Sequence, residues 1–168
     1  MVKIRSLEIK DAEFMYEWMH DDNVVEFFSN NFKEKTLDDV IDFIKKSNED
    51  SKNLNLAITD DNDEYLGTIS LKNIDYKNKN AEYAISLRRM AIGKGISKKA
   101  TDLILEKAFK EEKLHKVYLC VASDNIRAIK FYKKYGFIYE GTFKEHVYRN
   151  DKYFDLHWYA IKGDNYND

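Results

Sequence analysis

Gly93-Lys94-Gly95 is the feature that most constrains this chain. It lies between an alternating apolar run, Glu82 to Leu87, and an apolar-periodic run from Ile96 to about Glu112. Two glycines in three residues permit a tight strand-to-helix turn, because glycine enters left-handed backbone conformations at little steric cost. The first N–H groups of the following helix then face outward, where the helix dipole favours an anion. Gly95, Ile96, Ser97 and Lys98 would present those groups, and Lys94, Lys98 and Lys99 add positive charge. A pyrophosphate is the natural guest, and a plain tight loop with solvated lysines is the alternative. The Walker spacing GxxxxGK[ST] is absent, and Lys98 stands where GxGxxG would need its third glycine.

The rest of the chain reads as alternating elements. Val2 to Leu7 has the period of a half-buried strand. Asp11 is expected to cap a helix through about Met19, with Phe14, Met15, Trp18 and Met19 on one face. Thr36-Leu37-Asp38-Asp39 has the form of a capping box and starts a helix that should bury Leu37, Val40, Ile41 and Ile44. Leu54 to Ile58, Tyr65 to Ile74 and Glu82 to Leu87 predict an antiparallel meander, with Asp60 to Glu64 a solvated turn. His115 to Ala122 is apolar enough for a central strand. Ser123 or Asp124 should cap a further helix ending at Gly136, a suitable C′ residue. Phe137 to Val147 and Tyr153 to Ile161 predict a final hairpin. This order fits one mixed α/β domain over residues 1–168, a mostly antiparallel sheet of about seven strands with four helices on its two faces.

Composition narrows the function classes. A formal net charge of −2 argues against a generic nucleic-acid binder. No run approaches the length of a membrane span, and the N-terminus has no secretory h-region, so a cytoplasmic protein without membrane partners is expected. The single cysteine, Cys120, allows no internal disulfide and reads as an inert core residue; an acyl-cysteine enzyme is the competing use. His20, His115, His146 and His157 lack metal-ligand spacing, so no metal is expected. There is no Gly-x-Ser-x-Gly elbow.

Asn125-Ile126-Arg127-Ala128-Ile129-Lys130-Phe131-Tyr132-Lys133-Lys134-Tyr135-Gly136-Phe137, taken with the glycine turn, resembles the acyl-CoA-binding motifs of the GNAT N-acetyltransferase superfamily. The second motif matches Asn-x-x-Ala-x-x-x-Tyr-x-x-x-Gly-Phe throughout. The first departs from Gln/Arg-x-x-Gly-x-Gly/Ala at Ile92 and Ser97. The element order is that of the GNAT fold, and Lys113 to Val117, Glu140 to Lys144 and Arg149 to Asp155 resemble the RimJ/RimL-type ribosomal-protein acetyltransferases.

The resemblance implies acetyl-CoA as acyl donor and a primary amine as acceptor, either a small molecule, an amino sugar or a peptide N-terminus. Gly93 to Lys98 would hold the pyrophosphate, Asn125 the CoA arm, and the strand backbone at Ile85 to Leu87 the thioester. Tyr132 would protonate the departing thiolate, and Glu82 would act as base. Glu26, Phe27, Phe28 and Phe32 are candidates for the acceptor side. A monomer or homodimer is expected. Two other classes compete: a non-catalytic acyl-CoA sensor of the same fold, and a nucleotide-binding module using the glycine turn.

Overall fold

A computed structural model describes residues 1–166. Seven strands form one sheet in the order β1-β2-β3-β4-β5-β7-β6. They are β1 (Lys3–Ser6), β2 (Leu54–Thr59), β3 (Tyr65–Asp75), β4 (Asn80–Leu87), β5 (Lys116–Ala122), β6 (Ile138–Arg149) and β7 (Lys152–Lys162). Only β4 and β5 pair in parallel; every other neighbour is antiparallel. Four helices of eight residues or more are described: α1 (Ala12–Met19), α3 (Leu37–Ser47), α4 (Ile96–Glu106) and α5 (Ile126–Tyr135). Single turns α2 (Asp22–Val25) and α6 (Gly163–Tyr166) complete them.

Strand alternation divides the core in two. One face of the sheet presents Ile69, Leu71, Ala81, Tyr83, Val117 and Leu119 to α4 and α5, with Ala100, Ile104 and Phe137 in the same cluster. The other face sets Ala57 and Tyr65 against α1 and α3 through Met15, Trp18, Val40 and Ile44. Between the layers Gly67 permits β3 and β4 to approach closely, since a Cβ there would collide with the carbonyl oxygen of Ser86.

Two helix starts depart from expectation for the same reason: the expected capping carboxylate is taken by an arginine. Asp11 makes no side-chain cap to α1. Its carboxylate is buried and accepts two bonds from Arg5, at 2.8 and 2.9 Å, and one from the Glu8 N–H. Asp124 is bound at both oxygens by Arg149, each 2.9 Å, so neither Ser123 nor Asp124 caps α5. Asn125 does, its Oδ1 accepting from the Ala128 N–H at 3.3 Å. The Thr36–Asp39 box forms as predicted, with reciprocal bonds of 2.9 and 3.1 Å. In α3 Val40 and Ile44 are buried, whereas Leu37, in the first turn and beyond the packed stripe, is exposed.

The Asp60–Glu64 turn is exposed but not merely solvated. Asp63 binds Arg5 at 2.6 Å and Lys10 at 2.5 Å, and Asp61 pairs with Lys3 and the N-terminal amine, so the turn is tied to β1. Cys120 also corrects the reading. In β5 the inward positions are Val117, Leu119 and Val121; Cys120 occupies the alternate face and is exposed.

Candidate active site

The site is a gap within the sheet. β4 and β5 pair only at Asn80–Lys116, Ala81–Val117 and Glu82–Tyr118. Beyond Glu82, β4 continues to Leu87 against β3, and β5 continues to Ala122 against β7, with no ladder between them. Backbone groups alternate between the two edges of a strand. The Arg88 N–H donates to the Leu66 carbonyl on the β3 side at 2.9 Å. The N–H groups of Ile85 and Leu87 therefore point to the opposite edge, into the opening. Such donors can polarise a thioester carbonyl held there.

Past β4 a short 3-10 turn leads into Gly93 and Gly95, both left-handed at φ 80° and 73°. Gly95 is the N-cap of α4 and offers no capping side chain. The first intrahelical bond at this end runs from Lys99 N–H to Gly95 O. The N–H groups of Ile96, Ser97 and Lys98 thus have no intrahelical acceptor, which suits an anion. Lys98 is less free than the sequence implies, because it pairs with Asp102 at 3.0 Å. Ile92 packs against the core and contributes no polar group. A cation from another element lies over the turn instead: Arg127 Nη2 is 4.0 Å from where a Cβ on Gly93 would sit.

α5 brings the remaining predicted groups. With Asn125 Oδ1 used by the helix, its amide NH2 stays available. Tyr132 lies on the α4/α5 face, its ring edge-on to Tyr83 at 5.9 Å and to Phe137 at 5.6 Å. Its hydroxyl makes no hydrogen bond among the described residues, and burial pushes its pKa up. A proton therefore stays on this phenol at neutral pH.

Glu82 does not share that face. It alternates with Tyr83 along β4, so it approaches the opening from the α1/α3 side while Tyr132 approaches from the other. There Glu82 meets Lys72 of β3 at 3.2 Å, with Tyr118 and Cys120 of β5 alongside. Partial desolvation between the strands and the Glu82 charge push both the Tyr118 phenol and the Cys120 thiol up, although part of the Cys120 side chain reaches solvent. Cys120 is thus an exposed but weakly acidic thiol, poorly suited to nucleophilic attack.

Further along lies a pocket whose walls include Glu26, Phe32, Lys33, Arg149 and Asn150. Arg149 stacks between Phe27, at 5.1 Å, and Phe154, at 4.8 Å. Phe28 and Phe32 instead pack on Trp18, at 6.2 and 5.1 Å. Sequence reasoning passed over Lys72 and gave Arg127 no role. Arg127 stood inside the matched motif, but no pattern marks Lys72, whose place depends on strand register. No group of three or more His, Cys, Asp or Glu among the described residues could hold a metal ion, and no described helix is long and apolar enough to cross a membrane.

Residues 4–158 match the family model for the acetyltransferase (GNAT) domain. The chain belongs to the GNAT acetyltransferase family. The opening, the glycine turn and α5 are thus parts of an acetyl-CoA-dependent N-acetyltransferase. The chain is 27% identical over 155 residues to a spermidine N(1)-acetyltransferase of Vibrio cholerae, covering 91% of this chain and 88% of that protein. It is 33% identical over 95 residues to a putative ribosomal N-acetyltransferase of Bacillus subtilis, covering 56% and 52%. The crystal structure of the Vibrio cholerae spermidine N-acetyltransferase with CoA and spermine superposes with a TM-score of 0.92 at 25% identity, over 99% of this chain and 98% of that one. The RimJ/RimL likeness therefore extends over a shorter stretch than the likeness to the spermidine enzymes.

Proposed function

We propose that the enzyme acetylates a primary amine on a small molecule by direct attack within the β4–β5 opening. The observation that carries this reading is the opening itself, with the Ile85 and Leu87 N–H groups on its edge and an unpartnered Tyr132 hydroxyl beside it. The glycine turn, the first turn of α4 and Arg127 hold the phosphates of the donor. The Asn125 amide and the β4 edge hold its arm.

The acceptor arrives as an ammonium and must lose a proton before its lone pair can attack. Glu82 takes that proton, directly or through one water. Nitrogen then bonds to the acetyl carbon and the carbon–sulfur bond breaks. Ile85 and Leu87 N–H donate to the carbonyl oxygen as its negative charge grows. Tyr132 passes its proton to the leaving sulfur, and the proton that the acylated nitrogen then sheds returns, directly or through water, to the Tyr132 oxygen. The raised pKa of Tyr132 makes it a weak acid, so transfer belongs with bond cleavage, when the sulfur is most basic. No group on the protein carries the acetyl.

A small-molecule acceptor is supported by relatives that match about nine-tenths of the chain, among them spermidine N(1)-acetyltransferases of Vibrio cholerae and Escherichia coli. The test is thiol release from acetyl-CoA across a panel of amines, amino sugars and peptides with free N-termini. Amine-dependent release with a small amine supports the reading. Release confined to peptides would replace it with N-terminal acetylation.

A further inference from the structure

The acceptor side of β4 has a charge balance that bears on which amines it takes. Glu82 Oε1 lies 3.2 Å from Lys72 Nζ, with the two side chains 16% and 40% exposed. They are direct cross-strand partners in the β3–β4 ladder, so the pair is built into the register. Of the β5 groups on this face, Tyr118 and Cys120 bring no charge at neutral pH, since both are pushed up, and Lys116 pairs with Glu140; Asp75, at the end of β3, acts on Tyr118 and is held by the Lys77 N–H and the Asn78 amide. The pocket by the β6–β7 turn is balanced in the same way. Lys33 pairs with Asp22, and Arg149 is held at both nitrogens by Asp124. Within that pocket only Glu26 lacks an ion-pair partner among the described residues; it acts on Arg149 through space.

A molecule carrying several ammonium groups needs several uncommitted carboxylates. Here the proposed base is already matched by a lysine, and two carboxylates without an ion pair among the described residues, Asp75 and Glu26, lie at the end of β3 and in the pocket by the β6–β7 turn. We propose that Lys72 is a specificity-determining residue: by holding Glu82 it favours an acceptor whose reacting amine is its only positive charge. Such an acceptor brings one ammonium to Glu82, displaces Lys72 and gives up its proton. A second ammonium on the same molecule meets the displaced Lys72 and finds no second carboxylate on β4. The proposal rests on the assignment of Glu82 to the acceptor side and sets this chain apart from an enzyme built for polyamines.

The experiment compares 4-amino-1-butanol with 1,4-diaminobutane, which match in length and differ by one ammonium. Initial rates of thiol release from acetyl-CoA are measured for the wild type, Lys72→Met and Lys72→Arg. The wild type should favour the amino alcohol in kcat/KM by roughly tenfold, the scale of one unscreened like-charge contact near a protein surface. Lys72→Met should bring the ratio to unity or reverse it, and Lys72→Arg should preserve it. Rising ionic strength should narrow the wild-type ratio, a readout that a merely structural lysine would not move. Preference of the wild type for the diamine, or an unchanged ratio in Lys72→Met, would overturn the proposal while leaving acetyl transfer intact. Absence of thiol release with both amines, in protein that still binds CoA, would overturn the acceptor reading and this proposal together.

Discussion

The ring of Tyr132 stands at 89° to that of Tyr83, with centroids 5.9 Å apart. Tyr83 is the first β4 residue beyond the last β4–β5 pair. The contact therefore fixes the Tyr132 ring at the mouth of the opening, while Phe131 and Phe137 brace it from the sides. The ring is structural and the hydroxyl is spare, so the two roles separate by mutation. Tyr132→Phe should leave the melting temperature and CoA affinity close to wild type. Turnover should fall by about 10²-fold or more, the scale of general acid catalysis. Near wild-type turnover would make Tyr132 a packing residue only.

The glycine turn predicts selective donor binding. CoA at about a hundred times its dissociation constant stabilises the fold by about 2.7 kcal/mol, which for a chain of this size raises Tm by about 5–10 °C. ATP at the same concentration should raise it less. Gly95→Glu should abolish the CoA shift, since it adds negative charge at the α4 N-cap and forces a non-glycine residue to φ 73°. Equal shifts with ATP and CoA would point to a general nucleotide site.

These features were unequally legible in the sequence. The meander, the glycine turn and the Gly136 stop follow from local chemistry, and the structure has them where the periodicities place them. The cap expectation fails where an arginine claims the carboxylate, Arg5 from six residues before Asp11 and Arg149 from 25 residues beyond Asp124. Nothing local to Asp124 announces Arg149, and the Arg5–Asp11 pair depends on how the chain turns from β1 into α1. Cys120 was misread because an apolar run with β-branched residues conceals the period of two that turns it outward. The opening itself was invisible: whether β4 and β5 stay paired past Glu82 is decided by the sheet, not by either strand. Lys72 beside Glu82 is likewise a product of register.

Glu82→Gln tests the base. The variant should lose kcat/KM most at low pH, where neutral amine is scarce. Raising the pH should partly restore it, because the acceptor then deprotonates without help. A uniform loss at every pH would assign Glu82 to binding. Unchanged activity would remove it from the mechanism and direct attention to Glu26.

Asp63 offers a stability test apart from catalysis. Arg5 and Lys10 hold its pKa down to about 2, against 3.8 ordinarily. A carboxylate lowered by folding stabilises above its unfolded value and loses that contribution as pH falls through the folded one. Asp63→Asn should therefore lower Tm at pH 5–7, and the difference from wild type should shrink between about pH 4 and pH 2. Because the pair is exposed, added salt should also reduce the difference. A Tm difference constant down to pH 2 would contradict the ion-pair account of this turn.

The most direct measurement is a rapid-quench single turnover with acetyl-labelled acetyl-CoA, following label on CoA, on amine and on protein. Direct attack predicts that label passes from CoA to amine in one phase, with none on the protein, and that Cys120→Ala behaves as wild type. Label on the protein before it reaches the amine, or thiol release without any amine, would contradict transfer within the β4–β5 opening by direct attack.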